Sequence, residues 1–288
     1  MKKPSAFVWM LVPIAVVMLV IFIYPLVETF RLSFYEFKAG RGIVFVGTDN
    51  FEDLFSDPVF YWTIVRNFIY MVGVVAANFA LGMGFALLTY KPFKGVSVLR
   101  TIILLPMLFI PAAAAVIWAL LYDPNLGLIN HIIESVGLQE VAFLGRSSTA
   151  MAAVMVTDVW GWTPFVYLIL LAGLHGLPVA PFEAAEIDGA SSFQKFRRLT
   201  IPMLRPVMMI AVLIKAIDTF RAFDYVWIMT GGGPGEASMI LSPLAYRAAF
   251  TEVQFGHGSA IAVVFFLLSL TLTVAFLYVY LRGGEGGR

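Results

Sequence analysis

The chain has 288 residues, 60% of them apolar and only 13% charged, with a mean hydropathy of +0.89. A water-soluble domain carries about a quarter of its residues as Asp, Glu, Lys and Arg; this surface therefore mostly faces something other than water, which excludes a cytosolic enzyme, a nucleic-acid binder and a disordered scaffold. The formal charge of +1 leaves no basic excess for a polyanion, and zero cysteines exclude a disulfide framework, a thiol nucleophile and Cys-ligated metal.

A bilayer core about 30 Å thick takes roughly 20 apolar residues of helix to cross. Phe7 to Val27 is an uncharged run of that length. Lys2 and Lys3 ahead of it also suit a secretory signal, but the run is too long and no small-residue cleavage site follows, so a retained anchor is expected. Leu32 to Trp62 mixes charge, glycine and aromatics, as a short structured cap does. Asn67 to Tyr90 and Thr101 to Tyr122 supply a second and third span. In Asp123 to Ser148, the spacing of Leu128, Ile132 and Val136 predicts a helix lying at the interface. Ala150 to Leu174 is a fourth span, broken only by Asp158. Met203 to Ile228 is long enough for a fifth, but it carries Lys215, Asp218, Arg221 and Asp224 and so faces protein or water rather than lipid. Ser259 to Leu281 completes the set. The expected fold class is an all-α membrane protein of six transmembrane helices, with residues 1–66 as anchor and external cap and residues 67–288 as the core.

Placing the N-terminus inside puts eleven Lys and Arg residues on the cytoplasmic side and six outside, and three of the eleven lie in the loop from Lys91 to Arg100, which has no acid. Positive charge is enriched on the cytoplasmic side, so both termini are expected there. The inner loop of residues 175–205 is the most regular of the connections. Pro181 suits a first helical turn, and Phe182 to Asp188 reads as a short helix with Glu183 and Glu186 on one face. Gly189 supplies a sharp turn. A second short helix follows, with Phe193, Phe196 and Leu199 at spacing three, and Pro202 and Pro206 are expected to stop it and reset the chain into the fifth span. Such a knob either lies on the membrane or docks into a protein. Glu183, Glu186 and Asp188 would be repelled by anionic headgroups, which favours a protein partner.

The run Glu183-Ala184-Ala185-Glu186-Ile187-Asp188-Gly189-Ala190, continuing through Phe196 to Ile201-Pro202, resembles the EAA loop of ABC-importer permeases. Trp160-Gly161-Trp162-Thr163-Pro164-Phe165 before it, and Met229-Thr230-Gly231-Gly232-Gly233-Pro234 after the fifth span, look like the maltose-type carbohydrate permeases. The resemblance covers roughly Asn67 to the C-terminus. It implies a cytoplasmic coupling loop in which Glu183, Ala184, Ala185, Asp188, Gly189, Ala190 and Phe196 engage a separate ATP-binding subunit, with Glu183 and Gly189 most sensitive to change. It further implies a second permease, two ATP-binding subunits that hold the ATP and Mg, an external solute-binding protein docking at Gly231, Gly232, Gly233 and Pro234, and residence in a prokaryotic plasma (inner) membrane. This chain itself is expected to bind no cofactor and to catalyse no chemistry. It has no G-x-x-x-x-G-K-[S/T] loop and no H-E-x-x-H motif, and His131, His175 and His257 read as plain polar residues rather than metal ligands.

Polar groups inside spans point to a pathway. Asp158, Gly161, Trp162 and Phe165 fall at i, i+3, i+4 and i+7 of the fourth span. They combine an acceptor for hydroxyls, an open glycine position and two aromatic faces, a mix that suits a sugar. The bland alternative is that Asp158 bonds a neighbouring helix and Trp162 packs. Lys215, Asp218, Arg221 and Asp224 alternate in sign at spacing three, which reads as a ladder of ion pairs; Asp218 and Arg221 also resemble path-lining positions of the family. Carriage of a sugar or oligosaccharide is the leading reading. A glycerol-phosphate-like solute is the alternative within the family, with an ion-driven secondary transporter or an intramembrane enzyme outside it. The inverted repeats and broken helices of the former and the paired acids or histidine cluster of the latter are not evident in the sequence.

Overall fold

The computed structural model describes the backbone of residues 6–38 and 42–285, and the side chains of residues 10–38 and 42–282. Lys2, Lys3, Arg41 and Arg288, which enter the charge balance, lie outside the described residues. The chain packs as two compact units, one running to Ile64 and joined by Leu241–Leu268, the other comprising Val65–Ile240 and the chain from Ser269 onward.

In the first unit, α1 (Ala6–Met18), a π turn over Leu19–Ile23 and α2 (Tyr24–Leu32) follow one another as a continuous rod. Its apolar side chains from Met10 to Ile23 are exposed, as a lipid-facing span requires. The span reaches Leu32, past the expected Val27, because Glu28 and Arg31 sit one turn apart and pair with each other, the Arg31 Nε donating to Glu28 at 2.8 Å. The cap that follows is a hairpin and a helix. Strands β1 (Tyr35–Lys38) and β2 (Gly42–Phe45) pair antiparallel with Tyr35 opposite Phe45, and α3 (Asp49–Ser56) opens with Asp49 and Glu52 at the positive end of its dipole. The buried Asn50 clamps the two together, its Nδ2 donating to the carbonyls of Ser33 at 2.9 Å and Tyr35 at 3.0 Å.

Helix α4 (Pro58–Tyr90) has 33 residues and begins well before Asn67. The third span departs from the expected straight crossing. It is a bent pair: α5 (Val96–Leu104) tightens into a 3-10 turn over Leu105–Leu108, the chain extends through Phe109 and Ile110, and α6 (Pro111–Leu121) leaves at 100°. Pro106 and Pro111 each remove a backbone donor, and Pro111 forces Ile110 out of the helical region, so an apolar count across Thr101–Tyr122 overlooks the break. Helix α7 (Leu128–Ser135) follows, with Leu128 and Ile132 exposed and Asn130 turned inward to bond Asp123 and Val141. Helix α8 (Ala150–His175) is the most buried of the crossings.

After α8 come α9 (Ala180–Ile187) and α10 (Ser192–Lys195), then a π turn over Phe196–Thr200 that runs directly into α11 (Ile201–Phe220). The expectation that Pro202 and Pro206 stop the second short helix is corrected here. Ser192–Thr230 forms one candidate span of 39 residues. Pro202 lies at the junction of the π turn and α11, where the widened turn before it makes room for the ring. Helix α11 breaks at Arg221–Phe223 before α12 (Asp224–Thr230). Helix α13 (Leu241–Tyr246), a π turn over Arg247–Thr251 and α14 (Phe255–Glu285) complete the described elements.

Among the described residues, five helical stretches are long and apolar enough to cross a membrane, and the bent pair makes a sixth when its two arms count as one. Among the described residues of the second unit, two buried cores stand out. One gathers Tyr70, Val74, Val154, Tyr225 and Ile240; the other gathers Ala86, Val166, Tyr167, Leu170 and Leu204. Both use α8 as their common wall, which places its polar residues at the centre of the packing.

Candidate functional site

The polar centre is built on three helices. Asp158 of α8 is 2% exposed, and Lys215 of α11 is 1% exposed. The Lys215 Nζ donates to Asp158 Oδ1 at 3.0 Å, and the Tyr70 hydroxyl of α4 donates to Asp158 Oδ2 at 2.8 Å. Lys215 also reaches Asp218 Oδ2 at 3.3 Å and stands 4.7 Å above the Trp162 ring centroid. A buried cation thus has two carboxylates and an aromatic face, and one buried carboxylate has both a cation and a hydroxyl. Such mutual satisfaction is what allows charge to sit inside a span.

Both oxygens of Asp158 therefore go to protein partners, so in this conformation the expected role as a free acceptor for solute hydroxyls is corrected to a link between helices. Asp218 is different. Its side chain is 41% exposed, leaving an oxygen open beyond Lys215. Of the expected ladder only the rung Lys215–Asp218 forms. Arg221 falls at the end of α11, where the helix breaks, and points to the exterior; among the described ion pairs none includes Arg221 or Asp224. Next to that break, the carbonyl of Phe220 accepts from Asn67 Nδ2 at 3.2 Å.

Beside the polar centre lies a cavity of about 250 Å³, walled by the bend of residues 107–111 and by Gly161, Trp162 and Tyr225. Gly161 is not open as expected: a Cβ there would come within 2.5 Å of the Tyr225 hydroxyl, so the glycine is what lets Tyr225 lie against α8. Trp162 meets Phe165 edge to face with centroids 5.9 Å apart, and Phe165 itself packs on the second core rather than on the cavity. On the bend, Phe109 tilts against Trp160 at 5.8 Å. Sequence reasoning missed Tyr70, Tyr225 and Phe109. None carries a local signal, because each is brought in by an element distant in the chain.

The knob is defined by its caps. Helix α9 ends with Gly189 at φ +74°, where the Ala190 N–H bonds the Ala185 carbonyl at 2.8 Å and the Gly189 N–H bonds that of Glu186 at 3.1 Å. This pair of bonds is the left-handed glycine stop of a helix. Ser191 then caps α10 reciprocally with Gln194, a capping box that sequence reasoning passed over although Ser-x-x-Gln spells it. Across the turn, Lys195 pairs with Glu186 at 3.3 Å. Glu183, Ala184, Asp188 and Gly189 are exposed, Ala185, Ala190 and Phe196 are half-buried, and Ile187 and Phe193 project bare apolar side chains from the knob.

The turn after α12 is closely tied. Gly231 and Gly232 take φ +59° and +87°, the Gly233–Pro234 peptide is cis, and the Ser238 hydroxyl bonds both Thr230 and the Gly233 carbonyl at 2.7 Å.

Residues 78–283 match the family described as binding-protein-dependent transport system inner membrane component. The chain is 36% identical to the trehalose/maltose transport system permease protein MalF of Thermococcus litoralis, over 94% of this chain and 92% of the relative. It is 30% identical to the sulfoquinovosyl glycerol transport system permease protein SmoG of Agrobacterium fabrum, over 94% and 89%. Among solved structures, a bacterial ABC transporter involved in the import of the acidic polysaccharide alginate superposes with a TM-score of 0.85 at 20% identity, covering 96% of this chain and 95% of the other, which is a likeness of fold.

Proposed function

Because the chain belongs to the binding-protein-dependent transport system inner membrane components, we propose that it is the permease subunit through which an ABC importer passes a sugar or oligosaccharide. The cavity of about 250 Å³ carries the carbohydrate part of this reading. Its aromatic walls at Phe109, Trp162 and Tyr225 suit the C–H faces of a sugar ring, and the exposed carboxylate of Asp218, paired with the Lys215 that stands over Trp162, suits a hydroxyl. Relatives named for trehalose/maltose and sulfoquinovosyl glycerol transport support it.

In this reading the chain moves the solute and a separate ATP-binding subunit, loaded with ATP and Mg, supplies the energy. Two such subunits and a second permease complete the complex, and both termini of this chain face the cytoplasm. The knob of α9 and α10 enters the ATP-binding subunit with Glu183, Ala184, Ala185, Asp188, Gly189, Ala190 and Phe196, and the turn Gly231–Pro234 meets the external binding protein. Motor closure pushes the knob. Since α10 continues through the π turn into α11 without a break, the push reaches Lys215 and Asp218 along one helix. Trp162, Asp218 and Arg221 are then the residues that face the path, while Asp158, Gly161 and Phe165 hold the helices around it.

The test is ATPase activity of the complex reconstituted in proteoliposomes with its binding protein, measured against a panel of saccharides. Stimulation by a saccharide supports the reading. Stimulation only by a solute of another class overturns the carbohydrate assignment while leaving the importer assignment standing.

A further inference from the structure

A second cavity, of about 510 Å³, lies between α11 and α14, away from the polar centre. Its walls are mostly apolar, with Met208, Val212 and Phe276 among them, and Arg205 and Tyr280 line it toward its Ile201 side. Arg205 is exposed, and no described ion pair includes it. Close to the same end of α14, the Arg282 guanidinium lies 4.5 Å over the Tyr278 ring. Tyrosines and basic residues gathered at one end of neighbouring spans mark the headgroup level of a bilayer. The groove runs from Ile201 to Val212 along α11. At 1.5 Å per residue that is about 16 Å, close to half of the roughly 30 Å hydrocarbon core.

A groove that carries an exposed arginine at the headgroup level and continues as apolar wall over about 16 Å has the length of a single acyl chain in one leaflet. We propose that it is a binding site for an anionic phospholipid, with Arg205 holding the phosphate, the Tyr280 hydroxyl beside it, and an acyl chain lying along Met208, Val212 and Phe276. Basic pockets between spans select anionic headgroups for this reason. The lipid would then rest on the same helix that joins the knob to Lys215.

The experiment is native mass spectrometry of the full importer complex, purified from nanodiscs of phosphatidylcholine mixed with phosphatidylglycerol and stripped progressively with detergent. The wild type is expected to keep phosphatidylglycerol in preference to phosphatidylcholine. Arg205→Gln should weaken that retention about fivefold, Arg205→Lys should largely restore it, and Met208→Trp, which fills the groove, should abolish it. Val274→Trp on the exposed outer side of α14 should leave it unchanged. Equal retention by wild type and Arg205→Gln overturns the proposal. So does a photo-crosslinker at position 208 that couples to a second permease chain instead of to lipid. Because transport is not the readout, either failure leaves the importer assignment untouched.

Discussion

The Lys215 ammonium and the Asp158 carboxylate meet 3.0 Å apart with almost no exposed surface on either side chain. The two residues are 57 positions apart in sequence, and their bond ties α8 to α11.

Removing one member of a buried pair leaves the other as an uncompensated charge, at a cost of about 3–5 kcal/mol. The two members differ, however. Lys215→Met strands Asp158 with only the Tyr70 hydroxyl, whereas Asp158→Asn leaves Lys215 its bond to Asp218. Thermal unfolding of the detergent-purified chain is therefore expected to show the larger loss for Lys215→Met. The double variant Asp158→Asn with Lys215→Met should recover most of that loss, giving a strong coupling energy in the cycle. Additive losses would show that the pair does not act as a unit.

Gly161 makes a sharper steric prediction. Gly161→Ala would drive its Cβ to 2.5 Å from the Tyr225 hydroxyl, but the next ring atom is 3.5 Å away, an ordinary contact. Uptake and stability should fall in Gly161→Ala and return when Tyr225→Phe is added. Failure of the second change to rescue the first would mean that the clash is not with the hydroxyl.

Asp218 and Arg221 are accessible, so replacing them should spare folding. Asp218→Asn or Arg221→Gln is expected to abolish uptake while the complex still assembles, read by solute uptake alongside co-purification of the partner subunits. Normal uptake by both variants would remove these residues from the path.

At Gly189 the space a methyl group would take has no atom within 4 Å, so Gly189→Ala meets no clash. The cost is backbone alone, about 1–2 kcal/mol for an L residue in the left-handed region. The loss should appear as uptake falling relative to ATP hydrolysis, with Gly189→Asn milder because asparagine tolerates that region. Equal performance by glycine and alanine would show that the turn need not hold its angle.

Hydropathy revealed the long crossings because lipid exposure needs only apolar length, and Pro181 and Gly189 marked the knob because start and stop signals are local. The bend at residues 107–111 escaped because proline counts as nearly neutral in an apolar tally while deciding where the helix ends. Lys215 was visible as a charge in a span, but its neighbours at spacing three suggested a ladder along one helix. Its stronger bond is to Asp158 on another helix, a pairing that only the packing of α8 against α11 creates. Tyr70 and Tyr225 escaped for the same reason.

The most direct measurement is a crosslink from the knob. The chain has no cysteine, so Ala184→Cys provides its single thiol, on an exposed position of α9. In membranes of cells making the whole importer, that thiol should crosslink to a cysteine in the ATP-binding subunit, with a yield that changes on adding ATP. Labelling of the thiol by a lipid-borne probe, with no crosslink to the ATP-binding subunit under any nucleotide condition, would contradict the role of this loop as the link between motor and path.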